Sequence, residues 1–234
     1  MATSHLPLFG GSRAWSKKEW TSSDDRVRGG SSHSTLTCSP TSLTAKFHGN
    51  LDIKTLGGAG FASQRTATTE QTWDISAYDG IEVVLERADT RKYTLTLKDE
   101  ILPKRPDGRE ASSVSWEVDF QVNAEDGKNG TVLFFKWSDF RATYRGRDLE
   151  GDDVKPLDLK RVKRFAIMVR SFFGGQEGDF ELNVVSISAL RTERYRDEPW
   201  VEVDEKAAFE QEEALALVQR PSGWFGWLSS CLGA

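Results

Sequence analysis

Two glycine-rich loops that carry arginine are the parts of this sequence best suited to chemistry at a binding surface. The first loop spans residues 23–32 (SDDRVRGGSS) and the second spans residues 56–65 (LGGAGFASQR). Glycine lets the backbone take a positive φ or approach a partner closely, and arginine adds a rigid fork of five donors. We therefore expect a recognition surface on a β framework rather than a catalytic centre.

The candidate site residues fall into two groups, one that contacts a partner and one that holds the loops. The candidate partner-binding residues are Arg28, Arg65, Tyr144, Arg145, Arg147 and Arg170. The candidate structural residues are Asp24, Asp25, Gly29, Gly30, Gly57, Gly58, Gly60 and Trp137. Asp24 and Asp25 are expected to form an ion-pair cluster with Arg28. Trp137 follows an apolar stretch, so we expect it to pack.

No motif for catalysis, metal binding or cofactor binding stands out from the rest of the sequence. Gly58 and Gly60 resemble part of a dinucleotide fingerprint, but Ser63 stands where the third glycine belongs and no helical pattern follows. The spacing of His5, His33 and His48 matches no zinc motif. We expect a protein that is not an enzyme, with no cofactor and no bound metal.

The composition is that of a soluble globular protein, with 38% hydrophobic and 29% charged residues among 234. The formal net charge of −5 argues against nonspecific binding of nucleic acid. Cys38 and Cys231 lie far apart, which argues against a disulfide framework and favours the cell interior. No apolar run approaches the ~20 residues of a transmembrane helix.

The two ends of the chain carry weaker signals. Residues 1–18 contain three basic residues and no acid before Glu19, faintly like a transit peptide, although a structured start is favoured. Cys231 occupies the fourth position from the end, where prenylation occurs, but Gly233 departs from that motif and an unmodified tail is favoured. Trp224 and Trp227 are candidates for peripheral contact with a membrane.

Short strand-like stretches separated by turn signals predict strands through most of the chain, and apolar and polar residues alternate clearly in 80–86, 92–98 and 114–122. They cover residues 34–38, 44–51, 61–66, 80–86, 92–98, 114–122, 131–137, 164–170 and 180–190. Residues 131–137 are so apolar that burial on both faces is expected. Residues 204–219 follow Pro199 and have the acid-to-base order of a helix. The pattern predicts an all-β sandwich (jelly roll) over residues 1–195 and a helical, aromatic tail over 196–234.

Seven segments in this order resemble the complex I intermediate-associated protein 30 family. They are residues 24–32, 56–65, 73–80, 93–99, 137–140, 144–147 and 170–174. The resemblance covers about residues 9–190 and implies a galactose-binding-like jelly roll.

The resemblance also implies a function. Mitochondrial members of the family are chaperone-like assembly factors that bind assembly intermediates of respiratory NADH:ubiquinone oxidoreductase (complex I), and they are not enzymes. A mitochondrial location and protein clients are expected on this basis. Mitochondrial members usually carry a long targeting region before the domain, whereas here the domain pattern starts close to Met1. A cytosolic paralogue that acts as a carbohydrate- or protein-binding module is therefore the alternative.

Overall fold

The structure, a computed structural model, describes residues 4–38, 43–128, 130–151 and 154–192, and its regular secondary structure there consists mainly of thirteen β-strands. The strands are β1 (Ser4–Gly10), β2 (Trp20–Ser22), β3 (His33–Cys38), β4 (Ala45–Leu51), β5 (Phe61–Thr66), β6 (Gly80–Ala88), β7 (Lys92–Lys98), β8 (Ser115–Gln121), β9 (Thr131–Lys136), β10 (Arg141–Tyr144), β11 (Arg147–Asp148), β12 (Arg164–Arg170) and β13 (Gly178–Arg191). Short 3-10 helices cover Lys17–Glu19, Asp25–Arg28, Asp126–Lys128 and Trp137–Asp139.

The strands form two antiparallel sheets. The seven-stranded sheet has the order β11-β10-β8-β7-β12-β5-β2. The six-stranded sheet has the order β3-β4-β13-β6-β9, and β1 also pairs with β13. Neighbours in each sheet are mostly distant in sequence, as in a sandwich with crossing connections. The predicted all-β, galactose-binding-like sandwich is thereby confirmed.

Aromatic side chains fill much of the core between the sheets. Phe9 lies at its centre, with ring centroids 4.9 Å from Trp20 and 5.5 Å from Phe165 in edge-on contacts. Tyr93 and Phe47 of opposite sheets meet at 6.2 Å, and both are fully buried. Such edge-on pairs add about 0.5–1.5 kcal/mol beyond the area they bury. The face of each sheet that meets this core is therefore apolar, and polar residues are left to the outer faces.

One expectation about burial is wrong. Residues 131–137 were expected to be buried on both faces, but in β9 the side chain of Val132 is 63% exposed. β9 is the last strand of the six-stranded sheet, and only one of its faces packs on the core. The strands β1, β2, β10 and β11 were not predicted, because they are short or lack clear alternation.

Several predictions lie outside the residues that the structure describes. These are the tail over 196–234 with its helix over 204–219, the aromatic residues Trp224 and Trp227, and Cys231. Within the described ranges, no helix has the length and apolar character needed to cross a membrane.

Candidate functional site

An open groove with a volume of about 1510 Å³ lies on the face of the seven-stranded sheet that points away from the core. Strand alternation explains its polar floor. In β12 the side chains of Phe165, Ile167 and Val169 enter the core, so Met168 and Arg170 point the other way and line the groove.

Strand register gives the groove its length. One row of successive cross-strand partners shares a face across five strands. The row consists of Arg65, Ala166, Thr96, Glu117 and Arg141. Neighbouring strands lie about 4.8 Å apart, so this row spans roughly 19 Å. That distance equals the length of about six residues of extended chain.

Ion pairs join the side chains along part of this floor. Arg170 donates to Glu117 at 2.8 Å and to Asp119 at 2.8 Å and 2.9 Å. Arg141 then binds Asp119 at 2.9 Å and Asp148 at 3.5 Å. Because Glu117 and Asp119 are largely buried, Arg170 is needed to balance their charge.

A second cluster has more positive than negative charge. Arg164 holds both carboxylate oxygens of Glu110, at 2.8 Å and 3.2 Å, and Arg65 binds the same carboxylate at 2.8 Å. The two arginine side chains are only 6% and 18% exposed. Lys98 lies nearby and donates to the carbonyl and hydroxyl oxygens of Ser113. Three cations thus surround one carboxylate.

The pKa values report the same imbalance. Burial lowers the pKa of Lys98 and of Arg65, and in both cases the charge of Arg164 lowers it further. Burial would raise the pKa of Glu110, but its hydrogen bond to Arg164 and the charges of Arg164, Arg65 and Lys98 outweigh burial, so the pKa lies below its ordinary value. Glu110 is therefore held as a carboxylate by cations that still lack a full set of counter-charges.

The groove as a whole carries unbalanced positive charge. Each of its acidic lining residues, Asp24, Glu110, Glu117, Asp119 and Asp148, is paired with an arginine. Within the described residues, six lining cations have no carboxylate within 4.0 Å. These are Arg28, Lys92, Lys98, Lys104, Arg109 and Arg145. A groove on an acidic protein is therefore locally basic, which suits an anionic ligand.

Two phenylalanines at the rim have a strained backbone. Phe172 and Phe173 follow β12 with φ values of 46° and 59°, which non-glycine residues rarely adopt. Lys92 and Arg170 lie over the ring of Phe172, at 4.7 Å and 4.8 Å from its centroid. The side chain of Phe173 is 99% exposed. The strained turn thus holds one large apolar side chain out in solvent beside the groove.

The first glycine-rich loop is held by buried carboxylates. Asp25 accepts the backbone N–H groups of Ser32 and Phe61, at 3.0 Å and 3.2 Å. A side chain on Gly30 would overlap the carboxylate of Asp25, which explains glycine there. The expected ion pair of this cluster with Arg28 is wrong, since the guanidinium of Arg28 lies over the ring of Phe61, 5.4 Å from its centroid.

Asp24 connects the same loop to the strands beneath it. It accepts the hydroxyl of Ser34 at 2.6 Å and the backbone N–H of Ser63 at 3.0 Å, and it pairs with Arg26. In the second loop, Gly60 allows its backbone to approach the carbonyl of Asp52 closely. The two loops therefore lie side by side at one end of the groove.

The hairpin between β10 and β11 supplies one groove residue. Arg145 and Gly146 have φ values of 53° and 75°, as a two-residue hairpin loop requires. Arg145 lines the groove and donates to Ser112 at 3.3 Å, whereas Tyr144 and Arg147 are exposed beside it. Trp137 is partly buried against the core and donates to the carbonyl of Tyr78 at 2.6 Å.

The structure thus brings Arg28, Arg65, Arg145 and Arg170 of the candidate residues to one groove. Sequence reasoning missed Arg164, Glu110 and Phe173. The pair Phe172-Phe173 before two glycines was a signal for an exposed turn, whereas nothing local marked Glu110. No group of three or more metal-binding side chains is present among the described residues.

The sequence model described as "Complex I intermediate-associated protein 30" matches residues 8–184. The uncharacterized protein C9E9.15 of Schizosaccharomyces pombe is 43% identical over 188 residues, which is 79% of this chain and 84% of that protein.

Among solved structures, the fold is similar to the family 11 carbohydrate-binding module of the cellulosomal cellulase Lic26A-Cel5E of Clostridium thermocellum. The TM-score is 0.51 at 13% identity, over 83% of this chain and 99% of that module. At this identity the likeness supports the shared fold and nothing further.

Proposed function

Because the chain belongs to the complex I intermediate-associated protein 30 family, we propose that it is a chaperone-like assembly factor for mitochondrial respiratory NADH:ubiquinone oxidoreductase. It binds an assembly intermediate of that enzyme and performs no catalysis itself. The groove on the seven-stranded sheet is the contact surface. The partner that binds this groove is a protein client, and the chain acts in the mitochondrion.

The exposed side chain of Phe173 is the observation that carries this proposal. A large apolar side chain that is 99% exposed gains free energy when a partner covers it, about 1.5–3 kcal/mol for a residue of this size. Its backbone is strained at positive φ, and such strain is found where function needs it. The cations beside Phe173 in the groove would add charge-assisted contacts to the same client.

Complementation of a strain that lacks this protein tests the proposal. Cells that express the Phe173→Ala variant should accumulate partly assembled complex I, seen as smaller complexes on a native gel, while the wild-type chain restores the full-size complex. Val132→Ala is the matched control, since Val132 is also exposed but lies in the six-stranded sheet. Equal assembly with all three proteins would contradict the proposal.

Glycan binding is the second candidate, because an exposed aromatic ring beside a groove is also what a sugar ring stacks on. The rings of Phe61 and Phe172 are less suited to that role, since cations lie over them. Only Phe173 is free to act as a platform among the aromatic residues lining the groove in the described chain. A glycan array with the purified chain separates the candidates: binding of a neutral glycan that Phe173→Ala abolishes would favour this one.

A further inference from the structure

Glu110 occupies a ready-made carboxylate site. The arginines that hold it, Arg65 and Arg164, come from the neighbouring strands β5 and β12, where strand pairing fixes their backbones. Glu110 itself comes from the connection between β7 and β8, in a stretch that has no strand or helix. Its side chain is 33% exposed, whereas that of Arg164 is 6% exposed. The rigid part of this contact is therefore the arginine pair, and the carboxylate is the part that can move.

One carboxylate does not complete this site. The Nε atoms of Arg65 and Arg164 are buried and have no hydrogen-bond partner among the described residues. Lys98 adds a third positive charge, and Glu117, the other carboxylate that raises its pKa, is already bound to Arg170. Buried cations without counter-charge raise the free energy of the folded state. An additional or better-placed anion would lower it.

We propose that Arg65 and Arg164 form a binding site for a glutamate or aspartate side chain in an acidic segment of the protein client, and that Glu110 fills this site until the client displaces it. This rests on the proposed function, and it names the chemistry that the groove recognises. Glu110 shows that a carboxylate fits the two guanidinium groups, one of which holds it at two points.

Charge and dimensions favour an acidic peptide as the occupant. The six lining cations without a carboxylate partner in the described chain extend from Lys104 and Arg109, beside Glu110, to Arg28, Lys92 and Arg145 elsewhere in the groove. Several carboxylates spaced along one chain could meet them together. The row from Arg65 to Arg141 has the length of about six extended residues. Glu110 also lines a smaller cavity of about 340 Å³, next to Lys104, which offers space when it leaves the arginines.

The displacement step makes a quantitative prediction. If Glu110 leaves the site open for about one tenth of the time, the apparent affinity is about tenfold weaker than the intrinsic affinity. Removing this competing carboxylate restores the intrinsic affinity. Glu110→Gln should therefore bind fluorescein-labelled hexaglutamate about tenfold more tightly than the wild-type full chain, measured by fluorescence anisotropy. Labelled hexaglutamine should bind neither protein.

Glu86→Gln is the matched control. It makes the same change of charge at an exposed position of β6, in the other sheet, where the described structure shows no ion pair to Glu86. Its affinity for hexaglutamate should equal that of the wild type. If Glu86→Gln tightens binding as much as Glu110→Gln does, the gain comes from net charge, and the proposed displacement is wrong.

A second variant keeps the test decisive if Glu110→Gln folds poorly. Arg65→Ala should weaken hexaglutamate binding at least tenfold, and Arg65→Lys should restore it only in part, since an ammonium group lacks the rigid fork of donors that a guanidinium presents. Wild-type affinity in Arg65→Ala would overturn the site. So would binding of an acidic sugar oligomer, oligogalacturonate, with no binding of hexaglutamate.

The same proteins separate this inference from the proposed function. If Phe173→Ala blocks assembly of complex I in cells but hexaglutamate does not bind the purified chain, only the carboxylate site is refuted. If hexaglutamate binds as predicted but Phe173→Ala assembles complex I normally, the carboxylate site stands and the proposed role of the groove in assembly falls.

Discussion

Arg170 binds Asp119 through a single nitrogen, Nη2, which lies 2.8 Å and 2.9 Å from the two carboxylate oxygens. Its other terminal nitrogen is left for Glu117. One guanidinium from β12 thereby binds two carboxylates of β8, across the intervening strand β7. The groove floor consequently depends on Arg170 for its charge balance.

We predict that Arg170→Ala lowers the free energy of unfolding by about 3–5 kcal/mol, because it leaves the buried carboxylate of Glu117 unpaired. Arg141→Ala should cost only about 0–1 kcal/mol, since Arg141 is half exposed and Asp119 keeps Arg170. Urea unfolding at pH 7 measures both values. Adding Glu117→Gln to Arg170→Ala should recover part of the loss. Equal losses of unfolding free energy in Arg170→Ala and Arg141→Ala would refute the dependence of the groove floor on Arg170.

The pairing of Glu110 predicts how stability depends on pH. Its pKa in the folded protein lies below the ordinary 4.5, so its ionised form stabilises the fold fully above that pH. As the pH falls through the lower, folded value, Glu110 takes up a proton and this stabilisation is lost. The wild type should therefore be more stable than Glu110→Gln at pH 7, and the difference should shrink at pH 3. Thermal unfolding at both pH values tests this, and a constant difference would contradict it.

The strained backbone at Phe173 predicts opposite effects on stability and on function. Phe173→Gly should be about 1 kcal/mol more stable than Phe173→Ala, because glycine tolerates a φ of 59° without steric cost. Both variants lack the exposed ring, so both should fail to support complex I assembly. Chemical unfolding gives the stabilities and native gels give the assembly. If the glycine variant is the less stable of the two, the backbone is not strained in solution.

The close approach at Gly30 predicts a steric effect that Gly57 does not share. Gly30→Ala should destabilise the protein by about 3 kcal/mol, since the new methyl group displaces the buried Asp25 carboxylate from its two backbone N–H partners. Gly57→Ala meets open space and pays only for its positive φ, about 1–2 kcal/mol. Melting temperatures order the two variants, and a smaller loss at Gly30 would show that the loop moves to accept the methyl group.

Much of the fold could be predicted because strand signals are local. Strand-like stretches between turn signals located β5, β7 and β12 at their observed bounds. The ordered motifs were enough to indicate the family.

The sequence by itself determined most of the strands, the sandwich class and several of the arginines that line the groove. Only the tertiary structure decided which charges meet. Glu110 and Arg164 lie 54 residues apart, and they pair because the chain returns β12 beside β7 and β5. The chain has a net charge of −5, yet its groove is basic. Local patterns report which face a side chain takes, whereas ion pairing depends on strand neighbours that are distant in the chain, and no local pattern contains that information.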